Sequence, residues 1–217
     1  MKRRINKVCM VTTILLIRHG QTDWNRVERF RGHADLPLND TGMIQAEATG
    51  RRVVELCRPV AVYSSPLSRA LSTAEAIGGY TGLPVQIHPS LTDIDYGDWQ
   101  GLTPDEARIR WPVIIDLWFK KPQLAHIPGG ESLEDLRIRA MNGVTELATR
   151  HSGQTIVLVG HTVLNRIILL SVLGLGNERF WRIQQEPCAI NIFKFESGDY
   201  TLVSLNDTCH LPKLALV

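Results

Sequence analysis

Cysteine is scarce in this chain, and its four copies are scattered as Cys9, Cys57, Cys188 and Cys209. They form no C-x-x-C pair and no spacing suited to a metal ion. They read as free thiols in a reducing cytoplasm, the other reading being two disulfides in a secreted protein. No apolar stretch reaches the roughly 20 residues that span a bilayer, so no membrane partner is expected. There is no internal repeat, low-complexity segment or linker, which leaves one domain over residues 1–217. A basic face is also missing. The net charge is +2, but Lys2, Arg3, Arg4 and Lys7 put four positives and no acid into the first ten residues, so the other 207 sum to −2. The basic character belongs to a tail over residues 1–11, expected to be partly disordered. Nucleic acid is not an expected partner. The tail and the apolar run from Val8 to Ile17 imitate a signal peptide, but the run flows into Arg18-His19 without a small-residue cleavage site. It reads as a tail plus a first core strand. Carboxylates form no cluster suited to magnesium, and no metal or cofactor is expected.

What is present is an alternation of strand and helix patterns. Hydrophobic residues make up 44% of the chain and charged residues 21%, enough for one large core. Thr13 to Ile17 is a continuous apolar run that suits a central parallel strand covered on both faces. It ends in Arg18-His19-Gly20, where the glycine permits a sharp turn. Trp24 to Pro37 reads as a polar loop that could fold over whatever lies at that strand end. A helix follows, with Asp40 or Thr41 as cap, and then the strand Val60–Tyr63. Pro66 is expected in the first turn of a second helix that carries Arg69. Val85–Ile87 is a short strand. Asp93 to Gly101 is a loop rich in acids, aromatics and glycine. Ser132 caps a long helix, Leu133 to Arg150. Thr155–Val159 is a second buried strand, ending in Gly160-His161-Thr162 and leading into the helix Val163–Leu173. Ala189–Phe195 and Tyr200–Leu205 alternate around Ser197-Gly198-Asp199, a hairpin expected at a sheet edge. This order predicts an α/β fold: three layers, α/β/α, with a mostly parallel central sheet and an antiparallel edge hairpin.

Two strands thus end alike, in Arg18-His19 and in Gly160-His161. Ligands of open α/β sheets bind beyond the carboxyl ends of strands. If the two strands are neighbours, the two imidazoles face each other there. Arg69 can reach the same rim, and Asn25 and the first backbone N–H groups of the helix after His161 add neutral donors. Guanidiniums, imidazoles and amides together suit a phosphate dianion.

Leu16-Ile-Arg18-His19-Gly20-Gln21-Thr22-Asp-Trp-Asn25 resembles the signature of the histidine phosphatase superfamily, the phosphoglycerate-mutase-like proteins. Ser64 to Ala74, Asp93 to Gly101, Pro128 to Ser132, Gly160-His161 with Arg166, and Asn206-Asp207-Thr208 are similar to its other blocks. They come in the family's order and at about its spacing. The resemblance implies that His19 attacks phosphorus and becomes a phosphohistidine, while Arg18, Arg69, Asn25 and His161 hold the equatorial oxygens. Gln21, Thr22, Thr162 and Arg31 complete the expected phosphate- and substrate-binding set. The family's proton donor is a glutamate; here its position holds Asp93, one methylene shorter, with Asp95 the alternative and Glu131 a weaker one. Pro104, and Phe119-Lys120 after Trp118, stand where mutases carry cations for a second phosphate. The implied activity is hydrolysis of a small phosphomonoester, with mutase activity second and a scaffold that has lost its chemistry third. Arg29, Arg31 and His33 could meet an anionic leaving group. Trp99, Trp111 and Trp118 could wall a pocket, and His210 could pack near its mouth. His88, His126 and His151 read as surface residues. The hairpin could pair in a homodimer.

Overall fold

The structure, a computed structural model, describes residues 10–212 apart from residues 26 and 28. All but the last two residues of the expected basic tail lie outside that range. The strands are β1 (Thr12–Arg18), β2 (Ala61–Ser64), β3 (Val85–Ile87), β4 (Thr155–Gly160), β5 (Ile190–Glu196) and β6 (Asp199–Asp207). The helices are α1 (Asp40–Leu56), α2 (Ser68–Thr81), α3 (Pro104–Arg110), α4 (Pro112–Lys120), α5 (Leu133–Arg150) and α6 (Thr162–Val172). The six strands form one sheet in the order β3-β2-β4-β1-β5-β6. β1, β2, β3 and β4 run parallel, and β5 and β6 add an antiparallel hairpin whose outer strand is the sheet edge.

The two-residue period of β1 builds both outer layers. Ile14 and Leu16 join one apolar core with Leu136, Val144 and Leu147 of α5 and Leu164, Ile167 and Ile168 of α6. Leu15 and Ile17 join another with Val53 of α1 and Ala70, Ala74 and Ile77 of α2. A strand apolar on both faces is stable only when both faces are covered, so this run demands the sandwich seen. β1 and β4 are hydrogen-bonded neighbours, with Arg18 opposite Gly160. The two histidine-bearing strand ends therefore share one edge.

Local chemistry refines several boundaries. α1 is capped by Asn39, not by Asp40 or Thr41: its side chain accepts the Gly42 N–H at 2.9 Å. α2 begins at Ser68, two residues beyond Pro66, with Leu67 as an N-cap that has no side-chain bond. Thr103 and Glu106 form a reciprocal capping box on α3, and Ser132 and Asp135 one on α5. Gly20 serves by its missing side chain and not by a left-handed φ. A Cβ there would sit 2.6 Å from the Gly42 carbonyl, so the glycine lets the turn after β1 lie directly on the first turn of α1. Cys57, Cys188 and Cys209 are free thiols.

Candidate active site

The parallel register brings His19 and His161 together, with ring centroids 5.2 Å apart and planes tilted by 56°. His19 is held at both ends. Its backbone N–H donates to the Gly160 carbonyl at 3.0 Å. Its Nδ1 lies 2.6 Å from the Gly20 carbonyl. A carbonyl only accepts, so Nδ1 carries the proton and Nε2 keeps a free lone pair. Burial lowers the His19 pKa well below its ordinary value, and Arg69, Arg18 and Arg31 push the same way. The imidazole is therefore neutral at pH 7, as a nucleophile requires.

The remaining groups converge from three elements. Arg69, in the first turn of α2, is fully buried and places Nη2 3.5 Å from Asp93 Oδ2. The same guanidinium donates to the carbonyls of Gly32 (2.8 Å) and Ala34 (2.7 Å), pinning the loop that follows Asn25. His161 Nε2 pairs with Ser65 Oγ at 2.8 Å, and its Nδ1 stands 3.9 Å from Asp93 Oδ2. Burial also lowers the His161 pKa, with Arg69 next in effect. Asp93 is 5% exposed. Burial raises its pKa, against the opposing pull of Arg69 and Arg31. Its Oδ1 accepts the Ile94 N–H at 3.0 Å, leaving Oδ2 toward the cations. Arg18 donates from Nη1 to the Gln185 carbonyl at 2.5 Å. Burial, then repulsion from Arg31, brings its pKa down to about 9. Arg18 Nε, Arg69 Nε, His161 Nδ1 and Thr162 Oγ1 are buried without a partner. Orphaned polar atoms are rare in folded proteins, and these leave hydrogen-bonding capacity open at the strand ends.

A cavity of about 570 Å³ meets this floor at Arg18; its wall also includes Gln21, Asn25, Arg31, Trp181 and Glu186, while His19, Arg69, Asp93 and His161 do not line it. Asn25 Oδ1 accepts from both the N–H (2.9 Å) and the hydroxyl (2.8 Å) of Thr22. That fixes the amide orientation and turns its NH₂ group outward for donation. Thr22 is thus fully buried and supports Asn25 through both its N–H and its hydroxyl. Thr162 opens α6 directly after His161, and its Oγ1 is buried without a hydrogen-bond partner. Gln21 and Arg31 line the cavity.

Other expectations resolve differently. Asp95 Oδ1 accepts the Gly97 N–H at 2.8 Å, so that carboxylate closes a turn. Glu131 spends both oxygens on Arg139. Trp99 is completely buried as core, Trp118 both packs in the core and borders the cavity, and half-buried Trp111 packs at the α3–α4 junction. His210 is away from the mouth, bonded to Thr49 of α1 at 3.0 Å. His88 and His151 are half-buried and flank Tyr63, whose hydroxyl meets His151 Nε2 at 2.9 Å; His126 is exposed. Arg29 is committed to Glu106 at 3.0 Å, and His33 to the Asp93 carbonyl at 3.0 Å. The sequence reading missed Ser65, the aromatic wall of Trp181 stacked on Phe119, and Glu186. Ser65 lay inside a recognised block. The wall residues come from separate segments with no shared spacing. Among the described residues, no three His, Cys, Asp or Glu side chains group to hold a metal ion.

The fold and this floor define a class: α/β proteins that gather guanidiniums and a neutral imidazole at paired strand ends. The chain belongs to the histidine phosphatase superfamily (branch 1), whose pattern matches residues 14–208. It is 31% identical over 198 residues to phosphoserine phosphatase 1 of Hydrogenobacter thermophilus, covering 91% of this chain and 93% of that protein. It is 32% identical over 209 residues to a metal-independent phosphoserine phosphatase of Arabidopsis thaliana, covering 95% and 86%. The solved structure of YhfR from Bacillus stearothermophilus superposes with a TM-score of 0.88 at 31% identity, covering 93% of this chain and all of that one.

Proposed function

We propose that this protein hydrolyses a small phosphomonoester without a metal ion, through a phosphohistidine on His19. The observation that carries this reading is the fixed, neutral His19 ring, its Nε2 lone pair free, set among Arg18, Arg69 and His161. In the first step Nε2 forms a bond to phosphorus as the ester P–O bond breaks. Asp93 gives its proton to the departing oxygen. In the second step water attacks phosphorus, its proton passes to the Asp93 carboxylate, and the P–N bond breaks to release phosphate and restore both groups. A raised Asp93 pKa favours the protonated form that the first step needs. Arg18, Arg69, His161 and the Asn25 amide stabilise the equatorial oxygens, each preorganised donor being worth roughly 3–4 kcal/mol in such sites. Arg18 and Arg69 supply the positive charge that magnesium supplies in other phosphoryl transfers, in line with the relative named as metal-independent.

Hydrolysis is favoured over mutase chemistry because Pro104 and Phe119, both on the cavity wall, offer no charge to a second phosphate. The wall carries both the cation Arg31 and the carboxylate Glu186. That combination suits a leaving group bearing both an anion and an ammonium, and phosphoserine, the substrate in the names of two relatives, is the first compound to test. We expect p-nitrophenyl phosphate hydrolysis to persist in chelator and to fall about 10⁴-fold or more in His19→Ala. Activity that requires a divalent metal would overturn the mechanism. Asp93→Asn should lower turnover more than Asp95→Asn does; the reverse order would move the acid.

A further inference from the structure

Asp93 differs from the rest of the floor in two ways. No strand or helix carries it, and it is a methylene shorter than the family's glutamate. Its backbone is nevertheless held on two sides. From α5, Arg139 donates through Nη1 to the carbonyls of Ser90 (3.1 Å) and Thr92 (3.0 Å). Its Nη2 donates to the carbonyl of Asp93 itself at 3.1 Å. His33 reaches that same carbonyl from the facing loop. Glu131 orients the guanidinium, accepting from Nε and Nη2 at 2.9 Å each, and its Oε2 also accepts the Asp95 N–H at 3.0 Å. All five N–H groups of one guanidinium are therefore used, three of them on the segment that ends in Asp93. The Arg139–Glu131 pair is 28% and 23% exposed. A pair that open contributes little through charge alone. Its effect lies in geometry, because a rigid fork fixes three carbonyls at once in a way that a lysine ammonium cannot.

We propose that Arg139, oriented by Glu131, is a positioning residue for the Asp93 carboxyl. The role rests on the acid function given to Asp93 above. With Oδ1 tied to Ile94 and the backbone tied to Arg139 and His33, Oδ2 is the oxygen left to meet the leaving group. This compensates for the shorter side chain.

The test compares kcat/KM on phenyl phosphate and on p-nitrophenyl phosphate. Phenolate leaves with the help of a proton, and nitrophenolate leaves without it. kcat/KM stops at phosphoenzyme formation, so the later hydrolysis does not enter. Arg139→Lys should lower the value on phenyl phosphate about 10²-fold, as a displacement of about 1 Å does. On p-nitrophenyl phosphate it should lower it by about threefold or less. Asp93→Asn should show the same selectivity. Equal losses on both substrates in Arg139→Lys, or no loss, overturn the proposal. If Arg139→Lys does not fold, Glu131→Gln, which keeps the shape and loosens the guanidinium, must show the selectivity in smaller measure, and its absence there overturns the proposal too. If Asp93→Asn is itself unselective, the acid assignment falls and the positioning role with it. If Asp93→Asn is selective and Arg139→Lys is not, only the positioning role falls.

Discussion

His19 and His161 hang from adjacent strand ends and Arg69 from the first turn of a helix, and none of the three is more than 1% exposed. Trp181, Phe119, Arg31 and Glu186 stand above them on a short turn, a helix end and two loops; Trp181 and Phe119 are each 40% exposed. In the floor, charge lies where water cannot reach it. Arg18, Arg69 and the two imidazoles all have pKa values lowered by burial, so the floor resists its own positive charge until an anion arrives. In the wall, charges are half-solvated, and Arg29 is paired with Glu106. Buried, preorganised charges are the kind that can stabilise a developing anion; half-exposed ones are screened by water. The difference teaches that buried charge in this protein is placed by strand and helix ends, and half-exposed groups by loops and short turns.

The sharpest way to break the comparison is Arg69→Gln, since Arg69 joins the two regions. It removes a cation from the floor and the donors that hold the Gly32 and Ala34 carbonyls. We expect kcat/KM on p-nitrophenyl phosphate to fall about 10²–10³-fold and the thermal unfolding midpoint to drop as well. Loss of activity at an unchanged midpoint would show that loop and floor are independent.

A smaller effect concerns pH and stability. The folded-state pKa values of His19 and His161 lie below the ordinary 6.5. The unfolded chain therefore binds protons on these rings first. Their contribution is fully present above about pH 6.5 and is lost as pH falls, by up to about 1.4 kcal/mol per pH unit for each ring that stays neutral. Asp93 acts in the opposite sense. Its raised pKa gives a contribution present below the ordinary carboxylate range and lost as pH rises through the folded value. Urea unfolding at pH 7.5 and 5.5 should show a smaller acid loss in His161→Gln than in the unmodified protein. An equal loss would show that the floor is not the dry region described.

The smallest expected change is in the wall. Trp181→Ala opens the cavity and removes the ring 5.1 Å from the Arg166 guanidinium, while leaving every floor contact in place. KM should rise roughly two- to fivefold, the scale of a cation–π contact of about 0.5–1 kcal/mol, with kcat nearly unchanged. A collapse of kcat would erase the division between wall and floor.

The sheet and the floor were legible in the sequence because both follow from short-range pattern. A strand apolar on both faces must be sandwiched, and a strand end is where side chains meet solvent and ligand. Boundaries that depend on a single cap were less legible. Asn39, Asp40 and Thr41 are all good caps, and which of them bonds Gly42 is settled by how α1 packs on Gln21. Thr22 sat beside catalytic-looking neighbours, yet its hydroxyl turns inward to Asn25.

The sequence by itself determined the layered α/β architecture, the two histidines at strand ends, Arg18 and Arg69 beside them, and the resemblance to one superfamily. Only the tertiary structure placed Asp93 toward His161, on a segment whose carbonyls bond Arg139, 46 residues along the chain, and carbonyls have no residue-specific pattern. Only the tertiary structure decided the wall, because Arg31, Phe119, Trp181 and Glu186 are brought together by the packing of separate segments. Strand ends are set by local periodicity, whereas a cavity wall is set by contacts between distant parts of the chain.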